Sequence, residues 1–200
     1  MIFINEGDYL MNYSFKFFQK NALIRLMGID KYIDIMNIIK DKNINIASKE
    51  NLTSIEFRKK FNSFYRIRRN MEWQNYYYDF FQKNKNNKNI TFDEILDYMY
   101  KSPTKTIEPS FCSKMLATIN PNMPIWDSIV LKNLNIKIEE NNNNKLENIK
   151  DTYKKLIEEI NKKLEDEDIK QTIKEFKDFF PELNLTDVKI LDFILWSNRN

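Results

Sequence analysis

Apolar side chains recur along most of this 200-residue chain at the three- and four-residue spacing of an α-helix. Phe57, Phe61 and Phe64 share one helical face, and Ile149 and Tyr153 begin another stripe of the same kind. Alternation of apolar and polar residues is brief wherever it occurs, and Asn-Gly turns are missing. The pattern predicts an all-α chain that folds as a single globular domain of about eight or nine helices.

Residues that begin and end helices flank several of these stripes. Thr91 and Glu94 form a capping-box pattern, and Thr186 can cap the last helix, whose sequence VKILDFILW is apolar on nearly every side. Gly28 is suited to end a helix that begins near Tyr13, and Asp30 to cap the next one. These signals predict where the helices lie and predict deep burial of the last one.

The segment from Pro109 to Leu134 joins a short apolar helix, a proline-containing turn and the start of a second helix. Cys112, Met115 and Ile119 lie on one side of the first helix, so we expect this side to be buried. Lys114 then falls on the solvated flank, and Cys112 is expected to be a core residue rather than a reactive thiol.

Asp127 shortly precedes the apolar residues of the second helix, where its carboxylate can cap exposed amides and meet the positive end of the helix dipole. A lysine-bearing helix, a proline-containing turn and an aspartate that opens the next helix resemble the catalytic segment of the helix-hairpin-helix DNA glycosylase superfamily. The resemblance implies a glycosylase-like helical fold that acts on DNA. Lys114 in SKMLA would then be the nucleophile and Asp127 in PIWDSIV the catalytic carboxylate, while Trp126 would stack on a flipped base.

The glycine-rich hairpin with which that family holds a DNA phosphate has no counterpart in this chain. Gly7 and Gly28 are its only glycines, and both lie far from the segment. The sequence therefore leaves open whether another surface holds the phosphate.

The stretch FYRIRRNMEW is one candidate for such a surface. If the helix that contains Phe57 continues through this stretch, Arg68 and Glu72 lie on the same face as its apolar residues. Arg68, fixed by Glu72 as a buried acid, would then line a cleft in which Arg66, Arg69 and Trp73 bind phosphates or bases. Alternatively, the helix bends near Asn70 or emerges from the core, and Arg68 and Glu72 form a solvated pair four residues apart.

Asp192 lies on the apolar last helix, on the same side as Val188 and Leu195. A carboxylate in such a position needs a partner, and Arg68 is one candidate. Asp192 is then either an active-site acid or an internal tie.

The formal net charge is +3, from 32 basic and 29 acidic side chains, so no strong overall field favours nucleic acid, although a local basic face is possible. One cysteine and no histidine exclude an intramolecular disulfide and remove the commonest metal ligand. We therefore expect no metal and no cofactor. The many Asn, Lys and Ile residues are typical of an AT-rich genome and carry no functional weight.

No apolar run reaches the roughly 18 to 20 residues that a membrane-spanning helix needs, and the N-terminus lacks the pattern of a signal peptide. We expect a cytoplasmic protein. The codons for Glu6, Gly7 and Asp8 would spell a ribosome-binding site ahead of Met11. Residues 1–10 are therefore expected to be a non-native or disordered leader, and residues 11–200 the domain.

Two classes of function fit these patterns. The first is a DNA glycosylase-like protein, with Lys114 and Asp127 in one cavity across a cleft from Arg68. The second is a non-catalytic helical module that binds nucleic acid or another protein, as in phages and mobile elements, with Lys114 in open solvent and Asp127 only a cap. Base specificity and oligomeric state stay open.

Overall fold

The computed structural model describes residues 28–102, 104–138 and 144–198, and within these ranges the chain forms nine α-helices and no strand. In chain order the helices are α1 (Ile29–Ile39), α2 (Leu52–Tyr65), α3 (Met71–Asn84), α4 (Phe92–Tyr100), α5 (Pro109–Ile119), α6 (Ser128–Asn133), α7 (Lys145–Leu164), α8 (Glu167–Phe179) and α9 (Asp187–Ser197). The expected leader and the helix expected from Tyr13 lie outside the described residues. The all-α class and the predicted number of helices are confirmed for the part that the structure describes.

The described helices form two compact units. The first, Gly28–Asn120, holds α1 to α5, and the second, from Pro121 onward, holds α6 to α9. In the first unit α1 packs on α2 and α4 packs on α5, while in the second α6, α7 and α8 all pack on α9. The domain predicted from the sequence, residues 11–200, contains both units.

The first unit contains an antiparallel hairpin made by α2 and α3. Phe57, early in α2, packs edge-on against Phe81, late in α3, with ring centroids 6.0 Å apart. Phe61, one turn further along α2, packs against Tyr77, one turn earlier in α3, at 6.3 Å. All four rings are buried. The apolar face predicted for α2 is therefore part of the core, where such rings bury the most apolar area.

Helix α5 is buried on more sides than its sequence predicts. Every residue from Cys112 to Ile119 is buried, including Lys114. Burial raises the pKa of the Cys112 thiol, which is consistent with the expected core role of this residue. The expectation of a solvated flank at Lys114 is wrong, because this flank is covered as well.

A second buried lysine, Lys85, holds the loop between α1 and α2. Its ammonium donates hydrogen bonds to the carbonyls of Asp41, Lys42 and Ile44, with the first two distances at 3.4 and 3.0 Å. Burial lowers the pKa of Lys85. The three carbonyls replace water around the charge and thereby fix the loop to the end of α3.

Helix α9 lies at the centre of the second unit. Its residues from Val188 to Leu195 are all buried, which confirms the prediction of deep burial. Asp192 is also buried and accepts a hydrogen bond from the Lys189 ammonium at 2.7 Å. Lys189, one turn earlier on the same helix, is therefore one partner of this carboxylate, whereas Arg68 belongs to the first unit and stays a predicted partner. The pair is consistent with an internal tie, and the alternative role as an active-site acid stays a prediction.

None of the described helices combines the length and the apolar composition needed to cross a bilayer. Among the same residues, no three cysteine, aspartate or glutamate side chains meet in a group that could hold a metal ion.

Candidate nucleic-acid interface

The helix predicted to run through the arginine-rich stretch ends at Tyr65. Arg66 adopts the left-handed backbone conformation, with φ 55° and ψ 42°. The amides of Arg66 and Ile67 both donate to the carbonyl of Asn62, the latter at 2.9 Å. Such a left-handed turn satisfies the last carbonyls of a helix and stops it.

Asn70 then starts α3, because its side chain accepts the backbone N–H of Trp73 at 2.9 Å. A continuous inward face that carries Arg68 and Glu72 is therefore wrong, and the alternative of a break near Asn70 is confirmed. Glu72 is exposed in the first turn of α3 and is not a buried acid. Its carboxylate lies beside the turn instead of fixing Arg68.

The residues from Arg66 to Asn70 form the end of the α2–α3 hairpin, which we call the arginine tip. Arg66, Arg68 and Arg69 are exposed, whereas Ile67 between them is only 5% exposed. Ile67 therefore anchors the turn in the core and leaves its neighbours outside. Neither Arg66 nor Arg68 forms an ion pair with any residue that the structure describes, so both guanidinium groups are available to an anion.

Arg69 is held from the start of α5. Its guanidinium forms an ion pair with Glu108 and lies 5.9 Å from the centre of the Phe111 ring. Glu108 immediately precedes α5 and its side chain is only 12% exposed. Because a half-buried pair of this kind restricts both side chains, Arg69 positions the tip and is less available to a ligand than its two neighbours.

Lys114 supports the same turn from inside the unit. Its side chain reaches the end of α2, where the ammonium donates a hydrogen bond to the Tyr65 carbonyl at 3.2 Å. The nitrogen also lies 5.2 Å from the centre of the Phe111 ring and 5.8 Å from that of Tyr65. A cation at the negative end of a helix is favourable. Lys114 thus fixes the residue that directly precedes Arg66.

The two tryptophans proposed as base-stacking residues are buried. Trp73 stacks on Tyr77 with centroids 5.0 Å apart and meets Phe111 edge-on at 5.4 Å. Its indole N–H is buried without a hydrogen-bond partner among the described residues. Trp126, in the second unit, is 5% exposed. The prediction that Trp73 offers its ring to phosphates or bases is therefore wrong, because packing covers the ring.

Asp127 is the N-cap of α6, as the sequence predicts. Its carboxylate accepts the backbone N–H of Ile129 at 2.9 Å, and the residue is half-buried. Asp127 belongs to the second unit, whereas Lys114 belongs to the first. The catalytic pairing of these two residues stays a prediction.

Sequence reasoning missed the link between Lys114 and the arginine tip. One signal was present: Lys114 is the only charged residue between Pro109 and Pro124. A single charge inside such an apolar helix indicates a specific buried acceptor rather than a solvated face. The acceptor itself, a backbone carbonyl at the end of α2, has no sequence signature.

Comparison with protein-family models, curated proteins and solved structures found no match to this chain. Its class therefore follows from the fold and the site alone. It is an all-α protein whose first unit carries a cationic helix hairpin. An ion pair and a buried lysine support the end of this hairpin.

Proposed function

We propose that this protein acts on DNA in the manner of a lysine-nucleophile glycosylase, with the arginine tip holding the phosphate backbone and Lys114 supplying the amine. The contact between the Lys114 ammonium and the Tyr65 carbonyl is the observation that carries the proposal. It connects a desolvated amine to the residue that directly precedes the two available guanidinium groups.

The proposed phosphate site combines side-chain and backbone donors. Arg66 and Arg68 are exposed and unpaired among the described residues, and arginine forms bidentate hydrogen bonds with phosphate. The first turn of α3, a 14-residue helix, begins at the same place and adds the positive end of its dipole. The arginine tip would thus take the part that a glycine hairpin plays in the family that the central segment resembles.

Lys114 is only 9% exposed, and its nitrogen lies near two aromatic rings. A lysine attacks only as the neutral amine, so the proposed reaction requires Lys114 to lose its proton first. In the proposed step the amine nitrogen bonds to C1′ of a deoxyribose, the glycosidic C–N bond breaks, and the base leaves with that electron pair. The amine loses a proton and the base gains one. The C1′–O4′ bond then breaks, O4′ takes the remaining N–H proton, and a C=N double bond forms, which gives the imine. The amine must first leave the Tyr65 carbonyl.

In the family that the central segment resembles, a carboxylate stabilises positive charge developing on the sugar, and Asp127 is the residue that the resemblance assigns to this role. Its support is the resemblance of PIWDSIV to the family segment, together with its half-buried position at the start of α6. Substitution by asparagine keeps a good helix cap and removes the charge. The variant Asp127→Asn therefore separates capping from chemistry.

Borohydride trapping tests the proposal. The protein is incubated with duplexes that carry assorted damaged bases, and borohydride reduces any imine to a stable protein–DNA adduct. We expect an adduct with the wild type, none with Lys114→Ala and much less with Asp127→Asn, while all three proteins bind duplex DNA. An adduct that persists in Lys114→Ala, or none on any duplex, contradicts the lysine mechanism.

A non-catalytic DNA-binding module is the second candidate. The exposed guanidinium groups of Arg66 and Arg68 favour it, because phosphate binding needs no reactive amine, and Lys114 would then be a buried cap of α2 instead of the solvent-exposed residue first expected for this class. This candidate predicts no adduct, and it predicts salt-dependent DNA binding that is weakened by the double variant Arg66→Ala/Arg68→Ala. The matched control is Lys49→Ala/Lys83→Ala, which removes two exposed cations near the other end of the hairpin.

A further inference from the structure

A cavity of about 380 Å³ that is largely open to solvent lies between the second half of α3 and α4, within the first unit. Phe80, one of its lining residues, is about 15 Å along α3 from the arginine tip, at 1.5 Å per residue. The volume is typical of a site for a small molecule. This cavity is not part of the proposed DNA site and needs its own account.

The apolar wall of the cavity is the end of a stack of aromatic rings. Tyr98 stacks on Tyr76 with centroids 4.6 Å apart and on Phe80 with centroids 3.9 Å apart, and both pairs of planes lie within 23° of parallel. Phe80 and Tyr98 both line the cavity. Since Phe80 ends this stack among the residues that the structure describes, a planar ligand would extend it by one more layer.

The polar side of the cavity contains two carboxylates, from Glu94 and Asp97, beside the amides of Asn84 and Asn87. Hydrogen bonds from Thr91 lower the pKa of Glu94, so its carboxylate is ionised at neutral pH. Asp97 lines the cavity one turn further along α4. Asn84 donates its amide N–H to the Phe80 carbonyl at 3.0 Å, which leaves the amide oxygen as an acceptor. Lys101 is the one cationic residue among those that line it.

The Phe80 ring beside two carboxylates suits a planar ligand that carries N–H donors. We propose that the cavity binds a planar heteroaromatic compound with an exocyclic amino group, whose N–H groups donate to the carboxylates while its ring stacks on Phe80. Adenosine and cytidine are the simplest probes of this chemistry. Inosine and uridine are their controls, because each has an oxygen in place of the amino group.

Titration of the full chain with each nucleoside, followed by NMR shifts of backbone amides, tests the proposal. We expect adenosine and cytidine at millimolar concentration to shift amides of residues 84–101, and inosine and uridine to bind more weakly. Phe80→Leu should weaken adenosine binding at least about fivefold through the lost stacking. Asp97→Asn should reduce the preference for adenosine over inosine.

Glu72→Gln is the matched control for Asp97→Asn, because it removes one carboxylate at the opposite end of α3. It should leave nucleoside binding unchanged. Equal affinity for adenosine and inosine overturns the proposal, as does the absence of shifts with every nucleoside. Retention of the full preference in a folded Asp97→Asn variant overturns the role of that carboxylate. These outcomes do not depend on whether the arginine tip binds DNA.

Discussion

Substitution of Arg66 by glycine should stabilise the fold and weaken DNA binding at the same time. Arg66 has φ 55° and ψ 42°, a region in which the Cβ atom of an L-residue approaches the following carbonyl. That conformation costs about 1–2 kcal/mol for a residue with a Cβ atom. Glycine adopts it without this cost but loses more backbone entropy on folding, so part of the gain is offset.

We expect a net gain of about 0.5–1 kcal/mol in the free energy of unfolding of Arg66→Gly relative to Arg66→Ala. For a chain of this size the change corresponds to a rise of about 1–4 °C in Tm. Both variants lack the guanidinium group, so the difference between them isolates the backbone term. Urea and thermal unfolding followed by circular dichroism measure it.

DNA binding should respond in the opposite direction. If Arg66 contacts one phosphate, its loss lowers the slope of log affinity against log salt by about 0.9 for duplex DNA. Lys105→Gly is the matched control, since Lys105 also has a positive φ, of 47°, and is exposed. It should gain similar stability with DNA binding unchanged. An Arg66→Gly variant less stable than Arg66→Ala would refute the reasoning about strain, and an unchanged salt slope would refute the phosphate contact.

Three further predictions concern the first unit. Glu72→Gln removes an exposed negative charge beside the arginine tip, so DNA binding at low salt should strengthen. The variant also loses the interaction of Glu72 with the α3 dipole, which lowers the free energy of unfolding by about 0.3–1 kcal/mol. Weaker DNA binding by Glu72→Gln would contradict the first expectation. Lys114→Met leaves the Tyr65 carbonyl without its donor and should cost about 1–3 kcal/mol in urea unfolding, whereas exposed Lys49→Met should cost nothing measurable. The pKa of Glu94 is lowered from 4.5 by Thr91, so its contribution to stability is present above pH 4.5 and is lost as the pH falls through the folded-state pKa. Glu94→Gln should remove this acid-sensitive part of the stability profile, and an unaltered profile would disprove it.

The helix caps are predicted correctly from the sequence, because they depend on local hydrogen bonds. The capping box of Thr91 and Glu94, the cap at Asp127 and the cap at Thr186 all appear in the structure. Each depends on residues only two or three positions apart, so the surrounding fold has little influence on it. Asp30 is an exception, because Gly28 occupies the N-cap position without a side-chain hydrogen bond, α1 starts at Ile29, and Asp30 lies in its first turn.

The interface was harder to predict because its main contacts join distant parts of the chain. Nothing in the sequence around Arg66 marks a left-handed residue, since glycine or asparagine is the usual choice there. The contacts of Lys114 with Tyr65 and of Arg69 with Glu108 span 49 and 39 residues. Helical periodicity places Lys114 on the flank of α5 but does not reveal which neighbours cover that flank.

The buried lysines also give the protein an internal set of reporters for chemical labelling. Lys85, Lys114 and Lys189 are all buried, whereas residues such as Lys49 and Lys83 are exposed. An acylating reagent reacts with a free, accessible amine, so it modifies the exposed lysines first and reaches each buried one only when its surroundings open. The labelling rate of Lys114 therefore measures how often the surroundings of its amine open, and the rates of Lys85 and Lys189 in the same molecule provide the comparison.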